Sequence, residues 1–191
     1  MLNARGALLL IVIGTGLLTA CLPGRLVYSS GTYQGTVQDI ETGRPLAGAA
    51  VVAVWREEAA IFGGHGPARD YHDVLEMVTD DQGKFEIPAK THFTVFGKIL
   101  ALRLIVYSPG YAPYPALGTR PHGEALDASY VQKNFVIGLP KLRTREERLQ
   151  HAGRPVALDH RIPDRDTPNL LRLINQEIRE LGLQPIGGEK K

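Results

Sequence analysis

Between residues 33 and 139 the chain is built of short apolar runs broken by turn residues, and the dominant period is two. Residues 83–88 alternate cleanly, with Phe85 and Ile87 on one face and Lys84 and Glu86 on the other, which predicts a strand with one face in a core and one in water. Residues 49–55 are apolar without interruption, Val51, Val52 and Val54 among them, which is the pattern of a strand covered on both faces. Residues 33–39 and 74–78, the set Leu102, Leu104 and Val106, and the set Val131, Phe135, Ile137 and Leu139 bring the total to six, and a β-sandwich of six or about seven strands is expected, which makes the chain mainly β.

The period changes near residue 141. Thr144 with Glu147 makes a capping-box pattern and predicts a short helix over residues 145–151. Thr167-Pro168 reads as an N-cap followed by proline in the first turn. Leu170, Leu171, Ile174, Ile178 and Leu181 then recur at helical spacing up to Gly182, for a helix of about four turns. Its apolar stripe is expected to dock on the sandwich, because a long stripe of large apolar residues left in water invites aggregation.

The first residues follow a different rule. Met1 and Arg5 supply positive charge, an apolar run interrupted by Gly14 and Gly16 follows, and the run stops at Ala20. It falls short of the roughly 20 residues a permanent membrane helix needs, so an export signal is expected instead. Leu18-Thr19-Ala20-Cys21 resembles the lipobox of bacterial lipoproteins. That resemblance implies cleavage before Cys21, a diacylglycerol on its thiol and an N-acyl chain such as palmitate on its new amino group. No other cofactor is expected. Each buried methylene contributes about 0.8 kcal/mol, so two or three chains anchor stably where one does not. Leu22 follows the cysteine in place of the aspartate associated with inner-membrane retention, which favours the outer membrane if the cell has two. The expected organisation is a signal peptide at 1–20, a lipidated tether at 21–32, a sandwich at 33–140 and a helical C-terminal extension at 141–191. A tether over residues 22–32 reaches at most roughly 35 Å, so the sandwich would stay close to its membrane.

Composition removes some classes of function. Of 191 residues 43% are hydrophobic, enough for a core. The 22 basic and 20 acidic side chains are interspersed and leave a net charge of +2, so nucleic acid is not an expected partner. Cys21 is the one cysteine, which excludes an internal disulfide and a cysteine-rich metal site.

Residues 35–51, with Thr42-Gly43-Arg44-Pro45-Leu46-Ala47-Gly48, and residues 79–85, with Asp80-Asp81-Gln82-Gly83, resemble the carboxypeptidase regulatory-like domain. Ser108-Pro109-Gly110-Tyr111 is similar to a later strand end of that family. The resemblance covers residues 35–88 most closely, extends more weakly to 139, and leaves out the C-terminal helices. It implies a transthyretin-like (prealbumin-like) sandwich that acts as a non-catalytic structural or binding module, since the shared motifs shape turns and carry no chemistry. Gly83 is expected at a positive φ in a tight hairpin turn.

Three places hold candidate chemistry. Residues 63–73 read as a polar loop with His65, Asp70, His72 and Asp73, side chains able to bind zinc or copper or to act as a base, although their spacing follows no known ligand rhythm. A solvated glycine-rich loop is the competing reading. Tyr107, Tyr111 and Tyr114 alternate with prolines, and exposed rings there would stack on sugars or receive a peptide; the competing reading has them covering one end of the core. Residues 141–165 are rich in basic side chains, with Arg143, Arg145 and Arg148 available to anionic head groups or simply solvated. Two enzyme families use related sandwiches. The chain lacks the Tyr-Arg-Gly-Ser tail of hydroxyisourate hydrolases, and the tyrosine-histidine iron site of intradiol dioxygenases does not align with its residues. The expectation is therefore a lipid-anchored, non-enzymatic envelope protein with an envelope protein or glycan as possible partner; the alternatives are a metal protein using the histidine loop and a glycan or peptide binder using the tyrosines.

Overall fold

The computed structural model describes residues 27–59, 68–94, 97–100, 102–115, 135–153 and 160–186. Cys21, His65 and Val131 lie outside them. The described strands are β1 (Val27–Ser30), β2 (Tyr33–Asp39), β3 (Ala50–Ala59), β4 (Ala68–Val78), β5 (Lys84–Ile87), β6 (Lys90–Phe93), β7 (Gly97–Ile99), β8 (Arg103–Tyr107) and β9 (Phe135–Leu139). Helix α1 (Arg145–His151), a 3-10 turn (Asp164–Asp166) and helix α2 (Pro168–Glu180) complete the order.

The chain is mainly β, with open sheets. One sheet runs β5-β2-β9, in which β2 and β9 are parallel. The other centres on β3, with β4 on one side and β8 and then β7 on the other, all antiparallel. Strands β1 and β6 form a separate antiparallel pair.

The uninterrupted apolar run of β3 explains the layering. Val51, Ala53 and Trp55 join Tyr33, Val37, Phe85, Ile87, Leu104, Val106, Ile137 and Leu139 in a core shared by the two sheets. Ala50, Val52 and Val54, on the opposite face, meet Ile105, Tyr107 and the α2 residues Leu170, Leu173, Ile174 and Ile178. A period of two thus gives β3 a sheet on one side and a helix on the other, and burying each large aliphatic side chain contributes about 1.5–3 kcal/mol. The two-sheet core is consistent with a β-sandwich, and α2 docks on it as its stripe predicts. Leu173 and Glu177 belong to the buried face of α2 as well, while Leu171 is only half-buried.

Four expectations change. Residues 22–32 are not all tether, because Val27–Ser30 pairs with Lys90–Phe93. Residues 68–73 are not loop: they continue β4 against the second half of β3, past a bulge where the register shifts between Trp55 and Arg56. The turn at Asp80–Gly83 is not a hairpin, since β4 pairs with β3 and β5 with β2; it is a corner between sheets. There the Asp80 carboxylate accepts the N–H groups of Gln82 and Lys84 at 2.9 and 2.8 Å. Gly83 has the expected positive φ of 71°, and a Cβ on it would stand 2.4 Å from the Val37 carbonyl oxygen. Finally, Thr167 occupies the N-cap of α2 but makes no side-chain cap bond. Glu76 of β4 caps the helix instead, its carboxylate accepting the N–H of Asn169 at 2.8 Å and of Leu170 at 2.6 Å.

Candidate functional site

A set of titratable side chains gathers where the bulged part of β3 and β4 meets the β1–β6 pair. His72 Nδ1 lies 3.1 Å from Glu57 Oε2, and the Thr94 hydroxyl donates to Glu57 Oε1. Asp73 pairs with Lys90, and its carboxylate stands 3.5 Å from His92 Nδ1. The His92 ring is buried among Trp55, at a centroid distance of 4.8 Å, His72, at 5.3 Å and edge-on, and Tyr28, at 6.1 Å. Lys90 Nζ sits 5.2 Å from the centre of the Trp55 ring, within cation-π range.

Electrostatics follow from these contacts. The Thr94 hydrogen bond and then the His72 contact hold the Glu57 carboxyl below the usual carboxylate range. Burial pushes the His92 imidazole below the usual histidine range; Asp73 opposes that, and His72 and Lys90 add to it. His92 Nε2 and Trp55 Nε1 are buried with no hydrogen-bond partner.

The four residues of the histidine reading are therefore divided. His65 lies outside the described residues, and Asp70 enters only as backbone of β4, opposite Glu57 in the ladder. His72 is engaged by Glu57, and Asp73 by Lys90 and His92. Among the described residues no group of three or more histidine, cysteine, aspartate or glutamate side chains is arranged to hold a metal ion. Glu57, Lys90, His92 and Thr94 were not singled out by sequence reasoning. Only a register argument that places β6 beside Trp55 could have found them, since β6 carries no apolar stripe of its own.

The tyrosines do not form one exposed platform, which corrects that expectation. Tyr107 is 2% exposed and packs beneath α2, and burial pushes its hydroxyl well above the usual tyrosine range. The half-buried Tyr111 donates its hydroxyl to Asp39 Oδ2 at 3.2 Å; burial first and then Asp39 raise its pKa. Tyr114 alone of the three is exposed, at 41%. Alternation decides this: Tyr107 continues the face of β8 that carries Ile105, which belongs to the helix side.

The three arginines singled out in the basic stretch are likewise engaged within the chain. Arg148 grips Glu177 through Nε to Oε1 at 2.6 Å and Nη2 to Oε2 at 2.8 Å, and also reaches Glu180. Arg143 pairs with Glu41, and Arg145 donates to the Leu181 carbonyl at 3.0 Å. The capping box at Thr144 and Glu147 is present as expected.

Comparison of the chain with protein-family models, with curated proteins and with solved structures returns no match in any of the three. Among the described residues no helix is long and apolar enough to cross a membrane.

Proposed function

We propose that this chain is a lipid-anchored, non-enzymatic lipoprotein of the cell envelope, whose transthyretin-like sandwich, of the carboxypeptidase regulatory-like kind, acts as a structural or binding module. The observation that carries the reading is Cys21, the one cysteine of the chain, at the end of Leu18-Thr19-Ala20-Cys21 and behind a charged-then-apolar leader. Only residues 22–26 separate it from Val27, where the described fold begins, so the domain would sit within roughly 20 Å of the anchor. The absence of aspartate after the cysteine favours the outer membrane where there are two. The non-enzymatic part is supported by the way the candidate groups close on one another, His72 on Glu57, Asp73 on Lys90 and Arg148 on Glu177. The finer fold is supported by the turn motifs at residues 42–48 and 80–83, both of which serve as corners between the two sheets.

The deciding experiment is intact mass and membrane fractionation after expression in a lipidating bacterium, beside Cys21→Ser. A mass gain matching a diacylglycerol and an N-acyl chain, lost together with membrane retention in Cys21→Ser, is expected. An unmodified, freely soluble chain would sink the proposal. Elemental analysis of the same material tests the metal alternative, and a stoichiometric metal abolished by His72→Ala would replace the non-enzymatic reading.

A further inference from the structure

In β1 and β6 the usual distribution of polar and apolar side chains is reversed. The register sets Val27 opposite Phe93, Tyr28 opposite His92, Ser29 opposite Thr91 and Ser30 opposite Lys90. The buried members are His92 and Ser30, whereas Val27 and Phe93 are 52% and 61% exposed. A strand whose outer face meets only water places its apolar residues inward, and a slip of one residue would turn Phe93 toward the core. The outward face of the pair is uncharged. It has an apolar cross-strand pair at the start of β1, followed by the hydroxyl pair Ser29 and Thr91, whose Oγ atoms lie 3.4 Å apart.

We propose that this outward face seats the domain on the bilayer: Val27 and Phe93 enter the interfacial region of the membrane that holds the lipid on Cys21, and Ser29 and Thr91 lie at head-group level. The inference rests on the lipoprotein reading above. Three observations select a lipid surface as the occupant. The tether of residues 22–26 reaches at most roughly 20 Å, so the start of β1 is the part of the described fold held nearest the anchor. The apolar pair stands at that end of the strand and the hydroxyl pair beyond it, which matches the apolar-to-polar gradient of a membrane interface. No charge has to be desolvated when the face is buried, because Lys90, the charged residue of these two strands, is paired with Asp73. Ile40, exposed to a similar degree at 58%, lies just past the far end of β2, roughly 20 Å along the strand from Tyr33, and serves as the internal contrast.

The test uses the full lipidated chain. Acylation consumes the Cys21 thiol, so Phe93→Cys, Val27→Cys and Ile40→Cys each carry a single free thiol for a nitroxide label. The labelled proteins are reconstituted in vesicles of phosphatidylethanolamine and phosphatidylglycerol, and spin relaxation by oxygen is compared with relaxation by a water-soluble nickel chelate. Near-ultraviolet circular dichroism checks that each variant is folded, and the two sites on the face report independently. The expected result is an oxygen-to-nickel ratio several-fold higher at 93 and 27 than at 40. Aqueous ratios at both 93 and 27 on a chain whose mass shows the lipid would overturn the seating surface and leave the anchor standing. A chain whose mass shows no lipid overturns both.

Discussion

Glu177 is 2% exposed and sits on the buried face of α2, yet it is bound on both oxygens, by Arg148 and by the Gly110 N–H at 2.9 Å. An isolated carboxylate at that depth is costly, so the arginine is what permits it. Arg148→Ala is expected to lower stability in urea unfolding by about 3 kcal/mol, near the lower end for a broken buried pair because the arginine is partly exposed. Arg148→Lys should recover only part of the loss, since lysine cannot reproduce the two-pronged contact. Helical spacing alone would have filled position 177 with an apolar residue, which is why the sequence did not point to it.

His92 sets a pH dependence. Its folded pKa is depressed by burial, so near and below its ordinary value of about 6.5 the unfolded chain takes up a proton that the folded chain resists. Its contribution is fully present above that value and is lost as the pH falls through the depressed one. Thermal unfolding followed from about pH 7 to pH 5 should show this decline, and His92→Phe, which keeps a ring against Trp55 and removes the unpaired Nε2, should flatten it. A slope unchanged in the variant would assign the decline to other groups. Asp39 acts lower on the scale. The Thr42 N–H, and then those of Glu41 and the Tyr111 hydroxyl, hold its carboxyl below the usual range, so its contribution is present above about pH 4 and lost below it.

Among the elements, α2 shows how a local signal was right about position and silent about partner. Thr167-Pro168 marks the start of the helix correctly, but the first-turn N–H groups are satisfied by Glu76, far away in sequence. Glu76→Ala is expected to cost about 1–2 kcal/mol in urea unfolding, the range of a lost N-cap with its favourable charge at the helix start. A change within about 0.5 kcal/mol would mean that Thr167 or water takes over the cap.

Strand β5 and helix α2 are legible because their faces sort by polarity at the right period, helix α1 because of its capping box, and β3 and β8 because their apolar runs suit strands covered on both faces. Strands β1, β6 and β7 were not. They are short, β6 buries a histidine rather than an aliphatic residue, and β1 exposes its valine, so no alternation of core residues marks them. The first half of β4 has the polarity of a loop for a related reason: Asp70, His72 and Asp73 are polar, and what makes the segment a strand is its pairing with β3 beyond the bulge.

At the scale of the whole molecule, the C-terminal fifth is part of the fold. Ala50, Val52, Val54, Ile105 and Tyr107 are covered by Ile162 and α2, so a chain ended after Leu139 would present a contiguous apolar sheet face to water. Such a truncation is expected to bind an apolar dye such as ANS and to lose cooperative unfolding; a monomeric chain that still unfolds cooperatively would show that the two sheets stand without the helix.

The sequence by itself determined what local period and local chemistry can carry. These are the two-faced burial of β3, the half-buried β5, the extents of both helices, the positive φ of Gly83, the near-neutral charge and the single cysteine. Tertiary structure alone decided which side chains meet: Glu76 with α2, Arg148 with Glu177, Tyr111 with Asp39, His72 with Glu57, and His92 with Trp55. A period of two or of 3.6 states which face a residue occupies, but which residue stands opposite depends on strand register and on how a helix lies on a sheet, and both are set by contacts between segments far apart in the chain.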